Sequence, residues 1–327
     1  MKMTLREAIR TTLAEEMRRD PRVFVLGQDV GAYGGTLQVT AGLFDEFGSD
    51  RVIDTPLSEV AITGSAIGSA MMGMRPVLEI MFADFIPLAL DQILNNAAKM
   101  CYAYDGEMAV PMVLRAPFGG GMRSGMHHCQ NLEAMLAHIP GIKVLMPTTP
   151  EDAKGLLLAA IRDPNPVIFL EHKMLYGVRG DVPEGDYTVP IGKAFIRREG
   201  RDMTIVACGA LVNKSMQAAN ELAKVGIEAE VVDLRTISPL DSETILSSVR
   251  KTSRLLIAHE ACKTGGIGGE IAALVAEEAI DALDAPIVRV AAPDCPVPFS
   301  APLEDAFLPQ PNQIVEQAKS LFGKSFS

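Results

Sequence analysis

The chain has 327 residues, which corresponds to about two domains at roughly 150 residues per domain. Apolar residues make up 48% and charged residues 22% of it, the balance of a folded protein with substantial cores. The formal net charge of −11 excludes a general electrostatic attraction to phosphate backbones or anionic lipid. We therefore expect neither nucleic acid nor a membrane surface as a partner.

The five cysteines are scattered, without CxxC or Cys/His ligand spacing. They indicate neither a disulfide framework nor a zinc site, and the reducing cytoplasm suits them best. The first 20 residues lack the apolar core and cleavage site of a signal peptide. The most apolar stretch, residues 60–74, is interrupted by glycines and too short to span a bilayer, so it predicts a buried helix.

Short β-branched apolar runs alternate with helical patterns through the first half of the chain. This alternation predicts parallel strands joined by crossover helices, and hence an α/β fold. Runs such as VFVLG, VLEIMF, MVLRAP and VIFLE are continuous enough to predict strands buried on both faces. The predicted strands are residues 23–27, 52–55, 76–82, 111–117, 143–147 and 166–170.

Residues 176–193, rich in glycine, proline and charge, predict a surface linker. We place the domains at 1–186 and 187–327. Beyond the linker the alternation restarts, and a tail rich in proline and acidic residues follows at 293–311. The fold class is therefore α/β with two doubly wound domains, the second smaller. Its predicted strands are 203–208, 229–234, 255–259 and 287–291, and its predicted helices are 211–225, 241–250 and 267–283.

Nucleotide-binding signatures are incomplete in this chain. No GxxxxGK[ST] motif occurs, and GGIGGE at residues 265–270 lacks the third glycine of the dinucleotide fingerprint. That segment follows a predicted strand and opens a predicted helix. An anion site at the helix amino end and a plain glycine-rich turn both remain open.

Any imidazole acid or base must come from one of five histidines: His127, His128, His138, His172 and His259. His127 and His128 follow a glycine-rich segment after a predicted strand, where parallel α/β folds place ligand-binding loops. Capping of the next helix is the alternative interpretation for this pair. The other three histidines are interpreted as structural.

Glu59 begins the predicted helix 59–74, with Ser58 as its cap. A first-turn glutamate commonly does no more than complement the helix dipole. Gly64 and Gly68 stand four residues apart among small residues, so one face of this helix is nearly bare. Such a face suggests a tight helix contact, such as one across a subunit interface.

Several strings, in order and over nearly the full chain, resemble the β subunit of the thiamine diphosphate dependent E1 component of 2-oxo acid dehydrogenase complexes. They include LGQDVGAYGG, DTPLSEVAITGSAIGSAMMGMRPVLEIMFADF, LDQILNNAAKM, GGGMRSGMHHCQNLEAMLAHIPGIKVLMPTTPEDAKGLLLAAIRDPNPVIFLEHKMLY, VVDLRTISPLD and HEACKTGGIGGE. The resemblance implies a transketolase-like chain, with a pyrimidine-binding domain and then a carboxy-terminal domain for dimerisation and E2 docking.

The resemblance implies that Glu59, Leu57 and Phe85 contact the pyrimidine ring of the cofactor. Glu59, in the match TPLSE, would hydrogen-bond N1′ of the aminopyrimidine and so make the 4′-amino group basic. Phe85, in the match FADF, would exclude water from that group, although locally it could equally be core.

His128 matches the family's active-site histidine, with His127 beside it as a competing assignment. Cys129 replaces the serine of the usual His-Ser-Gln string, so a thiol, which is a weaker hydrogen-bond donor, stands in place of that hydroxyl. Gln28 stands where many relatives have an acid. Because an amide does not titrate, a carboxylate relay between active centres would lose a member here.

Some relatives hold a structural potassium ion largely through carbonyl oxygens. The residues that match that site are Met112, Ala160, Ile161, Asp163 and Asn165. The string DPNP in this region is also the pattern of a simple turn between a helix and a strand.

The GDG motif with a downstream asparagine, which in the family ligates Mg²⁺ and the diphosphate, does not occur in the sequence. The resemblance therefore implies that an α subunit holds the Mg²⁺ and the diphosphate in an α₂β₂ assembly. It also implies acyl transfer from pyruvate or acetoin to lipoamide of an E2 acyltransferase. The alternatives are a branched-chain 2-oxo acid substrate, a transketolase-like synthase, a ferredoxin oxidoreductase subunit and a non-catalytic assembly subunit.

Overall fold

A computed structural model describes residues 1–323, which divide into two compact units. The first comprises Met1–Phe118 and Met135–Ile191, and the second comprises Gly119–Ala134 and the chain from Gly192 onward. The domain limits expected from sequence, 1–186 and 187–327, do not anticipate that residues 119–134 pack with the second unit.

The first unit contains a parallel sheet of buried strands and a small antiparallel pair. Its strands are β1 (Lys2–Thr4), β2 (Val23–Gly27), β3 (Val52–Asp54), β4 (Arg75–Glu79), β5 (Val113–Phe118), β6 (Lys143–Leu145), β7 (Val167–His172) and β8 (Arg179–Asp181). Strands β6-β7-β5-β4-β2-β3 lie side by side in that order, all parallel, and β1 pairs antiparallel with β8. Their β-branched, apolar sequences suit burial on both faces.

Helices cover this sheet, and two of them begin at side-chain caps. Those that precede residue 163 are α1 (Leu5–Arg19), α2 (Leu43–Phe47), α3 (Glu59–Met71), α4 (Met100–Ala103), α5 (Glu133–Ala137) and α6 (Pro150–Arg162). Thr4 and Glu7 form a capping box at α1, and Thr149 caps α6 ahead of a proline in its first turn. Two 3₁₀ helices, Ala83–Ala89 and Lys173–Leu175, and a π-helix, Gln92–Ala97, complete the unit.

The second unit has a smaller sheet of five strands, and among the described residues one of its pairings is antiparallel. The strands of this unit are β9 (Phe195–Arg198), β10 (Met203–Ala207), β11 (Ala229–Asp233), β12 (Thr236–Ser238), β13 (Leu255–Cys262) and β14 (Val288–Ala292), and each of them except β12 belongs to this sheet. The order is β14-β13-β10-β11-β9, with β9 antiparallel to β11. Its helices are α7 (Ala210–Ala223), α8 (Ser242–Thr252), α9 (Ile267–Glu278), α10 (Ala301–Phe307) and α11 (Pro311–Ser320), with a 3₁₀ turn at Ile280–Ala282.

Four sequence-based expectations need correction. The helix predicted over 60–74 is not fully buried, because Val60 is 49% exposed, and it ends at Met71. The helix predicted over 267–283 ends at Glu278. The linker at 176–193 contains β8, and the tail at 293–311 contains α10. Across residues 1–323, no helix combines the length and apolarity needed to cross a membrane.

Candidate active site

Glu59 lies where the chain leaves β3 and enters α3. Ser58 occupies the N-cap position, but its side chain makes no capping hydrogen bond, so the predicted Ser58 cap is wrong. Glu59 is half-buried in the first helical turn, where the helix dipole favours a negative charge. Leu57 is 79% exposed. An acid and an exposed apolar side chain thus stand together at the start of α3.

Gln28 follows the end of β2 and contacts Glu59. Its side chain is buried, and Nε2 donates to Glu59 Oε1 at 3.3 Å. Gln28 Oε1 is buried without a hydrogen-bond partner among residues 1–323. Parallel α/β sheets bind ligands beyond the carboxyl ends of their strands, which is where Gln28 lies.

Two threonine hydroxyls close to Glu59 in sequence are also buried without a hydrogen-bond partner. Thr55 directly follows β3 and Thr63 lies one turn beyond Glu59 on α3; neither Oγ1 has a partner within the described chain. Buried polar atoms in native proteins are nearly all satisfied by protein, water or ligand. The unmatched atoms of these residues, which lie close to Glu59 in the chain, leave hydrogen-bonding capacity for a polar ligand.

Phe85 lies on the 3₁₀ helix Ala83–Ala89, which packs against α3. Its ring is half-buried and meets the ring of Phe82 edge-to-face, with centroids 6.2 Å apart and planes at 85°. An aromatic wall beside α3 is the arrangement that the sequence resemblance implies for the pyrimidine.

The small-residue face of α3 is partly filled by the chain itself. A Cβ built on Gly64 would lie 3.3 Å from Gln92 Oε1 of the π-helix, whereas one built on Gly68 would meet nothing within 4 Å. Val60, in the first turn of this helix, and Met72, at its C-cap, are exposed. The tight contact expected at Gly64 is therefore made within the chain, and Gly68 stays open.

A buried charged cluster lies in the sheet of the first unit, and the sequence analysis missed it. Arg115 on β5 donates to Glu79 Oε2 on β4 and to both oxygens of Glu171 on β7, each at 2.7 Å. Tyr176 Oη donates to Glu171 at 2.5 Å. Burial lowers the pKa of Arg115, but the two carboxylates raise it more, so it exceeds its ordinary value. The available signal was one charge in each of the runs VLEIMF, MVLRAP and VIFLE.

His128 belongs to the His128 loop, which we define as residues 119–132 of the second unit. His128 is half-buried and its backbone N–H donates to Gly125 O at 3.3 Å, whereas His127 is exposed. Cys129 is fully buried and packs with Phe307 and Leu308. The half-buried His128 is therefore followed in the chain by the fully buried Cys129.

The residues predicted to hold potassium lie near the guanidinium group of Arg75. Those residues are Met112, Ala160, Ile161, Asp163 and Asn165. Arg75 Nη1 donates to the carbonyl oxygen of Ile161 at 2.6 Å and to that of Asp163 at 3.3 Å. Burial lowers the pKa of Arg75 from its ordinary value. A guanidinium therefore already binds two of the carbonyl oxygens.

The other predicted potassium ligands also have partners. The carbonyl of Ala160 accepts from the amide of Asp163 at 3.2 Å, and that of Met112 accepts from Val167 at 3.0 Å. The amide of Asn165 donates to Asp163 Oδ1 at 2.9 Å. Each carbonyl keeps a second lone pair, so the donor set still suits a hard cation and potassium stays a prediction.

The glycine-rich turn GGIGGE has a packing explanation. A Cβ on Gly266 would lie 2.5 Å from His259 Cε1, and one on Gly268 would lie 2.7 Å from His259 Nε2. Burial lowers the pKa of His259 to about 4, with nearby Arg289 adding to the effect. The close approach of a neutral imidazole accounts for these glycines without an anion.

Both parts of the chain resemble transketolase domains. Residues 1–179 match the family model of the transketolase pyrimidine binding domain, and residues 192–314 match that of the transketolase C-terminal domain. A solved structure titled as a split gene transketolase, inactive β4 tetramer, has a TM-score of 0.80 and 25% identity over 98% of both chains. These matches confirm the predicted transketolase-like α/β fold.

Three curated relatives are similar over nearly their full length. The chain is 48% identical to 2-oxoisovalerate dehydrogenase subunit beta of Bacillus subtilis, with 98% of each chain covered. It is 49% identical to acetoin:2,6-dichlorophenolindophenol oxidoreductase subunit beta of Cupriavidus necator, with 97% of each covered. It is 48% identical to pyruvate dehydrogenase E1 component subunit beta of Bacillus subtilis, with 98% of each covered.

Proposed function

This chain belongs to the family of transketolase-like β subunits of E1 2-oxo acid dehydrogenases, and we propose that it carries the pyrimidine half of a thiamine diphosphate site. The observation that carries the proposal is the start of α3. There Glu59 stands at a helix N-terminus and accepts a hydrogen bond from Gln28, whose Oε1 is buried without a partner among the described residues.

The bound cofactor would supply a carbon nucleophile and an electron sink for decarboxylation. Glu59 would hydrogen-bond the pyrimidine N1′ and hold a proton there, so that the 4′-amino group becomes a base. Gln28 orients the Glu59 carboxylate through its Nε2 donor. The N-terminus of α3 and this hydrogen bond direct N–H donors and the positive end of a helix dipole at the Glu59 carboxyl group.

Phe85 and Leu57 would line the pyrimidine site. Phe85 offers an aromatic face that excludes water from the exchanging amine. Leu57, at 79% exposure, leaves an apolar side chain uncovered next to Glu59. Covering it requires further apolar surface, which supports a site completed by another polypeptide.

His128 would hydrogen-bond the reacting group and help move a proton during acyl transfer. It is half-buried, as a group that meets both substrate and solvent needs to be. His127 is exposed, which favours His128 of the two neighbours for this role.

The partners follow from what the sequence lacks. Without a GDG motif, the chain needs an α subunit to hold Mg²⁺ and the diphosphate, and we propose an α₂β₂ heterotetramer. The domain from residue 187 would dimerise and dock the E2 acyltransferase. We place the complex in the cytoplasm, which the five free cysteines support.

We propose pyruvate or acetoin as the substrate, since EHKMLY and EGDYTVPIGKA resemble those types most. The test is to co-purify the chain with its α subunit and assay pyruvate, acetoin and branched 2-oxo acids with lipoamide as the acceptor. Activity on none of these substrates would contradict the proposal. Activity confined to branched 2-oxo acids would overturn the substrate assignment only.

Micromolar binding of thiamine diphosphate by the chain without an α subunit would contradict the split site. Titration calorimetry of the isolated chain and of the reconstituted tetramer measures this directly. We expect heat of binding from the tetramer alone.

A further inference from the structure

We propose that Glu260 and Glu304 are positioning residues that fix the His128 loop. This inference rests on the proposed role of His128. Neither glutamate is near the loop in sequence, since 140 residues separate Gly120 from Glu260 and 183 separate Gly121 from Glu304. Both side chains are almost completely buried, at 5% and 0% exposure.

Glu304, on α10, accepts hydrogen bonds from the first half of the loop. Its Oε1 accepts from the backbone N–H of Gly121 at 2.9 Å. Its Oε2 accepts from the backbone N–H of Arg123 at 3.2 Å and from Arg123 Nη1 at 2.8 Å. One buried carboxylate therefore binds two backbone amides of the loop and one of its side chains.

Glu260, on β13, joins the two ends of the same loop. Its Oε1 accepts from the backbone N–H of Gly120 at 2.6 Å and from Asn131 Nδ2 at 3.3 Å. Since residues 120 and 131 bracket His128 in sequence, this carboxylate sets the distance between the points where the loop leaves and rejoins the packed structure.

The loop backbone has a conformation that needs such partners. Gly121 has φ of 97° and Arg123 has φ of 57°, both in the left-handed region. For an arginine this region costs roughly 1 kcal/mol, so the surrounding contacts must hold it. A carboxylate supplies several acceptor sites, and its bonds to N–H groups are about twice as strong as neutral ones.

Cys129 links His128 to the same carboxylate. Its thiol donates to Glu304 Oε1 at 3.9 Å, and its side chain is buried against Phe307 and Leu308. The residue beside His128 therefore contacts both the charge and the apolar surface of α10. A serine at this position would retain a hydrogen-bond donor to Glu304.

One side of the loop borders open space. A groove of about 500 Å³ in the second unit is bordered by Gln130, Asn131 and Leu132. Glu260 also borders this groove. On the side that borders this groove, the hydrogen bonds from Gly120 and Asn131 to Glu260 are directional contacts that hold the two ends of the loop.

The test uses the reconstituted α₂β₂ complex with Glu304→Gln, Glu260→Gln and the control Asp305→Asn. Asp305 binds the same Arg123 at 2.7 Å, but its side chain is 61% exposed. We expect the two glutamine variants to lose about tenfold to a hundredfold in kcat, as a reacting group misplaced by about 1 Å does, and to retain thiamine diphosphate affinity. Asp305→Asn should match wild type.

Hydrogen exchange supplies a readout that needs no variant. In the wild-type complex the amides of Gly120, Gly121 and Arg123 lie outside helices and strands, yet we expect each to exchange at least about a hundredfold more slowly than an unprotected amide. In Glu304→Gln, exchange at Gly121 and Arg123 should accelerate. Unprotected amides in wild type would overturn the inference even if a variant failed to fold.

His128→Ala in the same assay separates the two proposals. If the His128→Ala complex is as active as wild type, the role proposed for His128 fails. The positioning role assigned to Glu260 and Glu304 then fails with it. If His128→Ala is inactive while Glu304→Gln and Glu260→Gln keep full kcat, the positioning inference alone is overturned.

Discussion

The side-chain amide of Gln28 donates to the carboxylate of Glu59, with 3.3 Å between Nε2 and Oε1. The two residues are 31 positions apart, one after β2 and the other at the start of α3. Their meeting shows how the parallel sheet assembles a site from the ends of separate strands. Substitution of Gln28 distinguishes a role of this contact in cofactor binding and catalysis from a role in the stability of the fold.

Gln28→Met keeps the length of the side chain and removes the donor to Glu59. We expect kcat/KM of the reconstituted complex to fall roughly tenfold, the effect of losing one hydrogen bond to a charged group. Thermal stability should be unchanged or slightly higher, because Gln28 Oε1 has no partner within the described chain. Full activity would show that the amide does not orient Glu59.

Gly268 and Gly269 form a matched pair on α9. A Cβ on Gly268 would lie 2.7 Å from His259 Nε2, whereas one on Gly269 would meet only Arg289 Nη1, at 3.6 Å. We expect Gly268→Ala to destabilise the chain by about 1–3 kcal/mol through overpacking. Gly269→Ala should be neutral or stabilising by up to about 1 kcal/mol. Equal thermal midpoints for the two variants would contradict the packing role of this turn.

Glu133 gives the second unit a pH dependence of known sign. Burial raises the pKa of Glu133 from 4.5 to about 7, and Oε2 has no hydrogen-bond partner in the described structure. The unfolded chain releases this proton near pH 4.5 and the folded chain near pH 7. Stability is therefore lost as the pH rises through this window, by an amount of about 3 kcal/mol at most.

Glu133→Gln removes that loss. We expect a higher thermal midpoint than wild type at pH 8 and little difference at pH 5, measured by circular dichroism. Glu277→Gln, an exposed position on α9, is the control and should change neither value. The same shift at both pH values would show that Glu133 is not the titrating group.

A substitution at Gly68 tests whether a partner subunit covers the open face of α3. Because a Cβ there meets nothing within 4 Å, we expect Gly68→Arg to leave the thermal stability of the isolated chain unchanged or higher. If a partner covers this face, the arginine should prevent assembly with the α subunit, as seen by size-exclusion chromatography. Gln217→Arg, at an exposed site on α7, should assemble normally. Normal assembly of Gly68→Arg would remove this face from the interface.

The central strands were predictable because their apolar runs are long and β-branched, as in β2, β5 and β7. The edge strand β9 was not, because FIRR is charged: Arg197 pairs with Asp233 and Arg198 with Glu228. The prolines of the expected tail also misled the sequence interpretation. Pro302 and Pro311 lie in the first turns of α10 and α11, where proline is favourable.

The candidate site was predictable only where the family resemblance supplied it. No spacing rule connects Gly121 with Glu304, since 183 residues separate them. The same holds for Arg115, whose two carboxylate partners lie on other strands. Such pairs depend on strand order and on the path of the loop, and a single sequence does not specify either.

The central claim is that Glu59 activates the thiamine pyrimidine in a site shared with an α subunit. Its most direct test is the rate of hydrogen–deuterium exchange at C2 of thiamine diphosphate bound to the reconstituted complex, compared between wild type and Glu59→Gln. The account predicts that exchange slows by at least about a hundredfold in the variant, the contribution of acid–base catalysis. An unchanged exchange rate, with the cofactor bound equally, would contradict it.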